Sequence, residues 1–116
     1  MPSEYQVADH FVGKTEAVKS LYDHMLAAIR EFGPVIEAAK KTSIHLDHRV
    51  GFAGVYVRKN YINLNIRTDY PISTPRVYKT DQVSKNRYHH MVKLETETDI
   101  DAELLGWLQD AYALSS

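Results

Sequence analysis

Tyr61-Ile62-Asn63-Leu64-Asn65-Ile66-Arg67-Thr68 alternates without a break. Ile62, Leu64 and Ile66 fall on one side of an extended chain, and Tyr61, Asn63, Asn65 and Arg67 on the other. A period of two with that contrast predicts a strand in a sheet with one buried face and one less apolar face. Lys59-Asn60, just before it, reads as a two-residue turn, because Asn tolerates the positive φ that tight hairpins use. Across that turn, Phe52–Arg58 sets Ala53, Val55 and Val57 on one face. Further back, Ile44 and Leu46 alternate with Ser43 and His45 in Thr42–Leu46, and Val35–Ala38 is a short strand. Downstream, Arg87–Leu94 alternates Tyr88, His90, Val92 and Leu94 against Arg87, His89, Met91 and Lys93. Residues 69–86 contain Pro71, Pro75 and several Ser, Thr and Asp, and read mainly as a connection with a short extended piece near Arg76–Lys79.

Two helices bracket these strands. Between Thr15 and Phe32, the residues Val18, Leu21, Tyr22, Met25, Leu26, Ile29 and Phe32 recur at helical steps and form one stripe. Thr15 suits the cap, and Gly33-Pro34 the stop. After the capping pattern Thr98-x-x-Asp101, the stripe Ile100, Leu104, Trp107, Leu108, Ala111 and Tyr112 predicts a C-terminal helix. The fold class is therefore α+β: a two-layer domain with an antiparallel sheet of about four or five strands, covered on one face by two amphipathic helices. Residues 1–14 read as an N-terminal arm whose Phe11 docks on the core, and residues 15–116 as the domain. The expected core is Leu21, Met25, Ile29, Ile44, Val55, Val57, Ile62, Leu64, Ile66, Val92, Leu94, Leu104, Trp107 and Leu108.

Composition agrees with one such unit. The chain has 116 residues, 44% apolar and 25% charged, which is enough for a single core and too short for two. A formal charge of −1 gives no whole-chain steering onto nucleic acid or anionic membrane. The absence of cysteine excludes disulfides, thiol nucleophiles and thiolate metal sites. No apolar run approaches the length that spans a bilayer, and Met1–His10 lacks the pattern of a signal peptide, so the expected location is cytoplasmic.

Parity alone assembles a polar face opposite the helices: Ser43, His45, Tyr56, Arg58, Tyr61, Asn63, Asn65, Arg67, Arg87 and His89. Rings, amides, cations and imidazoles on one surface can stack a planar group and pair with phosphate or carboxylate. The candidate ligand-binding residues are Lys41, Ser43, His45, Tyr56, Arg58, Asn65, Arg67, Arg87 and His89, in a non-catalytic module for an anionic small molecule, a nucleotide or single-stranded nucleic acid. Lys40-Lys41-Thr42-Ser43 adds cations and hydroxyls at the start of a strand but has no glycine-rich phosphate loop. Arg76, Lys79, Lys85 and Arg87 make a second basic cluster. The same face is also readable as an ordinary solvated surface or as the interface of a homodimer.

Catalysis and metal binding find less support. No G-x-S-x-G, H-E-x-x-H or G-x-G-x-x-G pattern occurs. His45 and His48, three apart on a strand, point to opposite sides, as do the neighbours His89 and His90, of which His90 is expected core-side and His89 exposed. A hydrolase-like enzyme using His45, His89 or His90 is the remaining alternative. No cofactor or metal is implied.

Several strings together resemble a known family: Lys40-Lys41-Thr42-Ser43-Ile44-His45-Leu46, Phe52-Ala53-Gly54-Val55, Val83-Ser84-Lys85-Asn86-Arg87-Tyr88-His89-His90, and Asp99-Ile100-Asp101-Ala102-Glu103-Leu104-Leu105-Gly106-Trp107-Leu108 continuing to Ala111-Tyr112. Over about residues 11–114 the chain resembles family 5655 of the domains of unknown function. The resemblance implies a small prokaryotic domain, free-standing or attached to larger proteins, some of them nuclease-like. It brings no reaction and no catalytic residues.

Overall fold

The computed structural model describes residues 5–115. Thr15 closes the first turn of α1 (Glu16–Arg30), where its Oγ1 accepts from the Val18 amide at 3.3 Å. That amide has no helical carbonyl within reach, so the cap satisfies it. The buried stripe is Val18, Leu21, Tyr22, Met25, Leu26 and Ile29, as the periodicity predicts. Phe32 lies just past the helix end, and Gly33, at φ +149°, turns the chain toward the sheet with a backbone angle that favours glycine.

Six strands form one antiparallel sheet: β1 (Ile36–Ala39), β2 (Ile44–Asp47), β3 (Gly51–Val57), β4 (Ile62–Thr68), β5 (Val77–Ser84) and β6 (Arg87–Leu94). Their spatial order is β1-β2-β3-β4-β6-β5. The first four make a meander, after which β6 pairs with the free side of β4 and β5 becomes the outer edge. The strand β5 corrects the reading of residues 69–86 as mainly a connection. Seven of its eight residues are exposed, so no apolar alternation marks it, and register irregularities near Val77/Lys79 and Gln82/Ser84 break its parity further.

The turn between β3 and β4 is where it was expected, with the Arg58 N–H donating to the Tyr61 carbonyl at 2.9 Å. No described residue other than glycine has a positive φ, so Asn60 does not take the conformation that the sequence suggests. A bulge disturbs β2–β3. Leu46 faces Ala53 while Asp47 faces Gly51, which leaves Phe52 as the extra residue. Neighbouring Phe52 and Ala53 are consequently both buried, and Gly51 stands opposite Asp47.

One cluster joins the stripes of both helices to a single face of the sheet, including Ile44, Leu46, Val55, Ile62, Leu64, Ile66, Val92 and Leu94. Every expected core residue belongs to it except Trp107. That ring is half-buried at the flank of α2 (Ala102–Leu114) and lies 5.7 Å from the Arg76 guanidinium carbon, while Leu104 and Leu108 take the inward positions. Asp101, not Thr98, caps α2, accepting from the Leu104 amide at 3.0 Å. The preceding 3-10 turn at Glu97–Asp99 is held by the Asp99 carboxylate, which accepts from the amides of Glu95 and Thr96 at 2.8 and 3.1 Å.

Of the expected arm, residues 1–4 lie outside the described residues. Val7–Phe11 is a short 3-10 turn, and the Phe11 ring packs 5.2 Å from that of Tyr22. No described helix is long and apolar enough to cross a membrane.

Candidate functional site

With both helices on one face, the opposite face of the sheet is open. Its central rows follow from strand register. One row runs through His45, Gly54, Asn65, Met91 and Lys79, and the next through Arg67, His89 and Asp81, while across the bulge Asp47 stands opposite Gly51. The direct partner of Arg67 on β6 is His89. Gly54 in the first row and Gly51 at the bulge carry no side chain, which leaves a trough in the sheet surface along β3, between β2 and β4.

Arg67 dominates this trough. Its Nη1 donates to the Gly51 carbonyl at 3.1 Å, and its buried Nε has no partner. It forms no ion pair with any described residue. Burial holds His45 below the ordinary imidazole value, with the Arg67 charge as the second cause, and His89 is held down in the same way. At neutral pH the two rings are therefore neutral beside a fixed cation. His45 and His89 are three strand spacings apart, about 14 Å, so they do not act as a pair.

Arg67 also borders a cavity of about 260 Å³ whose other walls include Val50, Phe52, Arg87, His89 and Leu114. Arg87, which donates from Nη1 to the Asn86 carbonyl at 2.9 Å, likewise forms no ion pair with a described residue. A second depression, about 460 Å³, is lined by Tyr56, Arg58, Asn63, Asn65, Tyr78 and Lys79 among others. Asn65 lies in the trough row beside Arg67, two residues away on β4. Its Nδ2 reaches only the Met91 sulfur at 3.4 Å, and its buried Oδ1 has no partner.

The profile of the family described as Domain of unknown function (DUF5655) matches residues 7–115. The chain belongs to the DUF5655 family. No curated protein and no solved structure matches it.

In this DUF5655 chain the candidate residues divide into groups. Arg67, Arg87 and His89 meet at the first cavity, and Tyr56, Arg58 and Asn65 at the second. His45 is half-buried in the trough and lines neither cavity. Ser43 is buried, 4% exposed, with its carbonyl accepting from the Lys40 amide at 2.8 Å, and Lys41 is exposed in the turn before β2. His89 is half-buried rather than exposed, because Arg67 and the wall of the first cavity flank it.

His90 points to the covered side and is fully buried. Its Nε2 lies 2.9 Å from Thr68 Oγ1 and 3.3 Å from the Tyr70 carbonyl, and its Nδ1 lies 3.2 Å from Thr80 Oγ1. A neutral ring protonated on Nε2 satisfies all three contacts: the threonine hydroxyl and the carbonyl accept from Nε2–H, and Thr80 donates to Nδ1. Both ring nitrogens are thus spent on structure. His48 also leaves the open face and stacks on Tyr112 at 4.2 Å between ring centroids. Among the described residues, no group of three or more His, Asp or Glu is placed to hold a metal ion.

Sequence reading missed Gly51 beside the first cavity, Gly54 in the trough row, Tyr78 at the second cavity and the α2 wall formed by Ala111 and Leu114. Glycine inside a strand was the available signal for the first two, since it marks a bulge or a close approach. Leu114 reaches the cavity only because α2 crosses the end of the sheet.

Proposed function

We propose that the DUF5655 domain is a non-catalytic binding module. On the open sheet face it holds the anionic group of a small molecule, a nucleotide or a nucleic-acid strand. One observation supports this reading: Arg67 and Arg87 border one cavity without a carboxylate partner among the described residues, beside a neutral His89. A guanidinium without an ion pair in a recess is free to donate two parallel hydrogen bonds to a phosphate or carboxylate. Val50, Phe52 and Leu114 supply apolar walls, which lower the local dielectric and strengthen those bonds.

The experiment is calorimetric titration with inorganic phosphate and phosphate monoesters at low and moderate salt, on wild type, Arg67→Ala and Arg87→Ala. Binding to wild type, weakened at least tenfold in each variant, supports the reading. An arginine variant that binds as wild type does would overturn it, as would a wild type that binds none of these anions. NMR adds a check on the electrostatics. Phosphate bound beside Arg67 raises the titration midpoint of His89, because an anion favours the imidazolium.

A further inference from the structure

The second depression makes a poor second anion site. Of its cations, Arg58 is exposed rather than recessed and Lys79 is already paired with Asp81 at 3.7 Å, and Asp81 itself lines the wall. What distinguishes it is flat and amphipathic surface: Tyr56, the half-exposed Tyr78, the Met91 thioether and the amides of Asn63 and Asn65. Gly54 keeps its floor low. A Cβ there would touch both Asn65 Cβ, at 3.7 Å, and Tyr56 Cε2, at 3.9 Å, so the absence of a side chain leaves the space between ring and amide unfilled.

Asn65 has hydrogen-bonding capacity with nowhere to go. Its carbonyl is buried without a partner, and a thioether sulfur is the sole contact of its NH₂. Whichever way the amide is turned, one weak acceptor cannot satisfy both ends. Turned toward the depression, the amide would be completed by a group carrying a donor and an acceptor in one plane, and a nucleobase edge has that character. Aromatic rings beside the amide offer the stacking face that bases use. Asn65 and Arg67 are alternate residues on one strand face, about 7 Å apart along β4. That spacing suits a planar ring joined through a sugar to a phosphate.

We infer that the two depressions are halves of one site for a 5′-nucleotide unit, the phosphate at Arg67 and Arg87 and the base against Tyr56, Asn65 and Tyr78. This rests on the anion-binding reading above and adds the class of ligand. The unit is the same whether it arrives as a free mononucleotide or as a residue of a single strand.

The test compares ribose 5-phosphate, nucleoside 5′-monophosphates and a short single-stranded oligonucleotide by calorimetry on wild type, Asn65→Ala, Tyr56→Ala and Arg67→Ala. At least one monophosphate should bind about tenfold tighter than ribose 5-phosphate, the value of stacking one base. Asn65→Ala and Tyr56→Ala should erase that margin and leave ribose 5-phosphate binding unchanged, whereas Arg67→Ala weakens both. Asn65→Ala should also fold at least as stably as wild type, because it removes an unsatisfied buried carbonyl. An oligonucleotide that binds more tightly than the monophosphates, with a steeper salt dependence, identifies a strand as the source, and equal affinity a free nucleotide. If ribose 5-phosphate binds as tightly as every nucleotide, the base half is refuted and the anion reading stands. If nothing binds, both fall.

Discussion

The Arg67 guanidinium reaches across the β2–β3 bulge to the Gly51 carbonyl, 3.1 Å from Nη1. A Cβ at position 51 would lie 2.8 Å from that nitrogen and 3.1 Å from Asp47 Oδ1. Gly51 therefore sets where the cation stands. The side-chain tip of Arg67 can swing aside at little cost, so Gly51→Ala should change stability by no more than about 1 kcal/mol. It should nevertheless weaken phosphate binding severalfold by displacing the guanidinium. Urea unfolding and calorimetry on the same preparation check both halves, and a fully retained affinity would refute the assigned role of Gly51.

Gly33 lies in a different situation. Its φ of +149° is strained for any other residue, and a Cβ there would lie 2.5 Å from the Tyr112 hydroxyl oxygen. That hydroxyl donates to the Pro34 carbonyl at 2.9 Å and ties the end of α2 to the loop after α1. Gly33→Ala should cost about 2–3 kcal/mol in urea unfolding, from backbone strain together with the broken tie. Tyr112→Phe alone should cost about 1 kcal/mol, the net worth of one hydrogen bond. In the double variant the backbone part of the Gly33→Ala penalty should persist.

Three imidazoles resist protonation in the fold. Burial lowers His90 from its ordinary value of 6.5, opposed by its hydrogen bond to the Tyr70 carbonyl; His45 and His89 are lowered by burial and by Arg67. The unfolded chain takes up these protons near pH 6.5, while the folded chain takes them up only at lower pH. Their contribution to stability is thus complete above 6.5 and is lost as the pH falls through the window down to the folded values. Urea midpoints should hold above about pH 6.5 and drop as the pH is lowered from there toward about 5, the region of histidine titration. Arg67→Ala should raise the NMR midpoints of His45 and His89 and leave that of His90 in place. An equal shift at His90 would contradict the placement of Arg67 on the open face.

Leu104 and Trp107 share α2 but differ in what they bury. Leu104 is fully buried, whereas Trp107 packs at the edge beneath Arg76. Leu104→Ala should cost about 2–5 kcal/mol, the range for truncating a buried leucine. Trp107→Ala should cost less, despite removing more atoms, because solvent already reaches its ring. Arg76 bonds Asp101 at 2.9 Å, Glu103 at 3.0 Å and the Asp99 carbonyl at 2.7 Å. Arg76→Ala should therefore lower the melting transition by loosening the start of α2.

The periodicities of Val18–Ile29, Ile62–Ile66 and Leu104–Leu108 by themselves determined two helices, an antiparallel sheet and the side on which the core lies. Each of those patterns is a local consequence of burying one face of a regular element. They left β5 unread beyond the short extended piece near Arg76–Lys79, because an edge strand exposed on both faces needs no apolar alternation and is held by its backbone pairing with β6. Parity also placed Arg67, Asn65 and His89 on the open face. It could not reveal that Gly51 faces Asp47, that Leu114 closes the cavity beside Arg87, or that Tyr78 comes round to face Tyr56 and Asn65. Those neighbours depend on a bulge, on the path of α2 and on the order β4-β6-β5. All three are set by packing among residues far apart in the chain, and no short-range pattern encodes such packing.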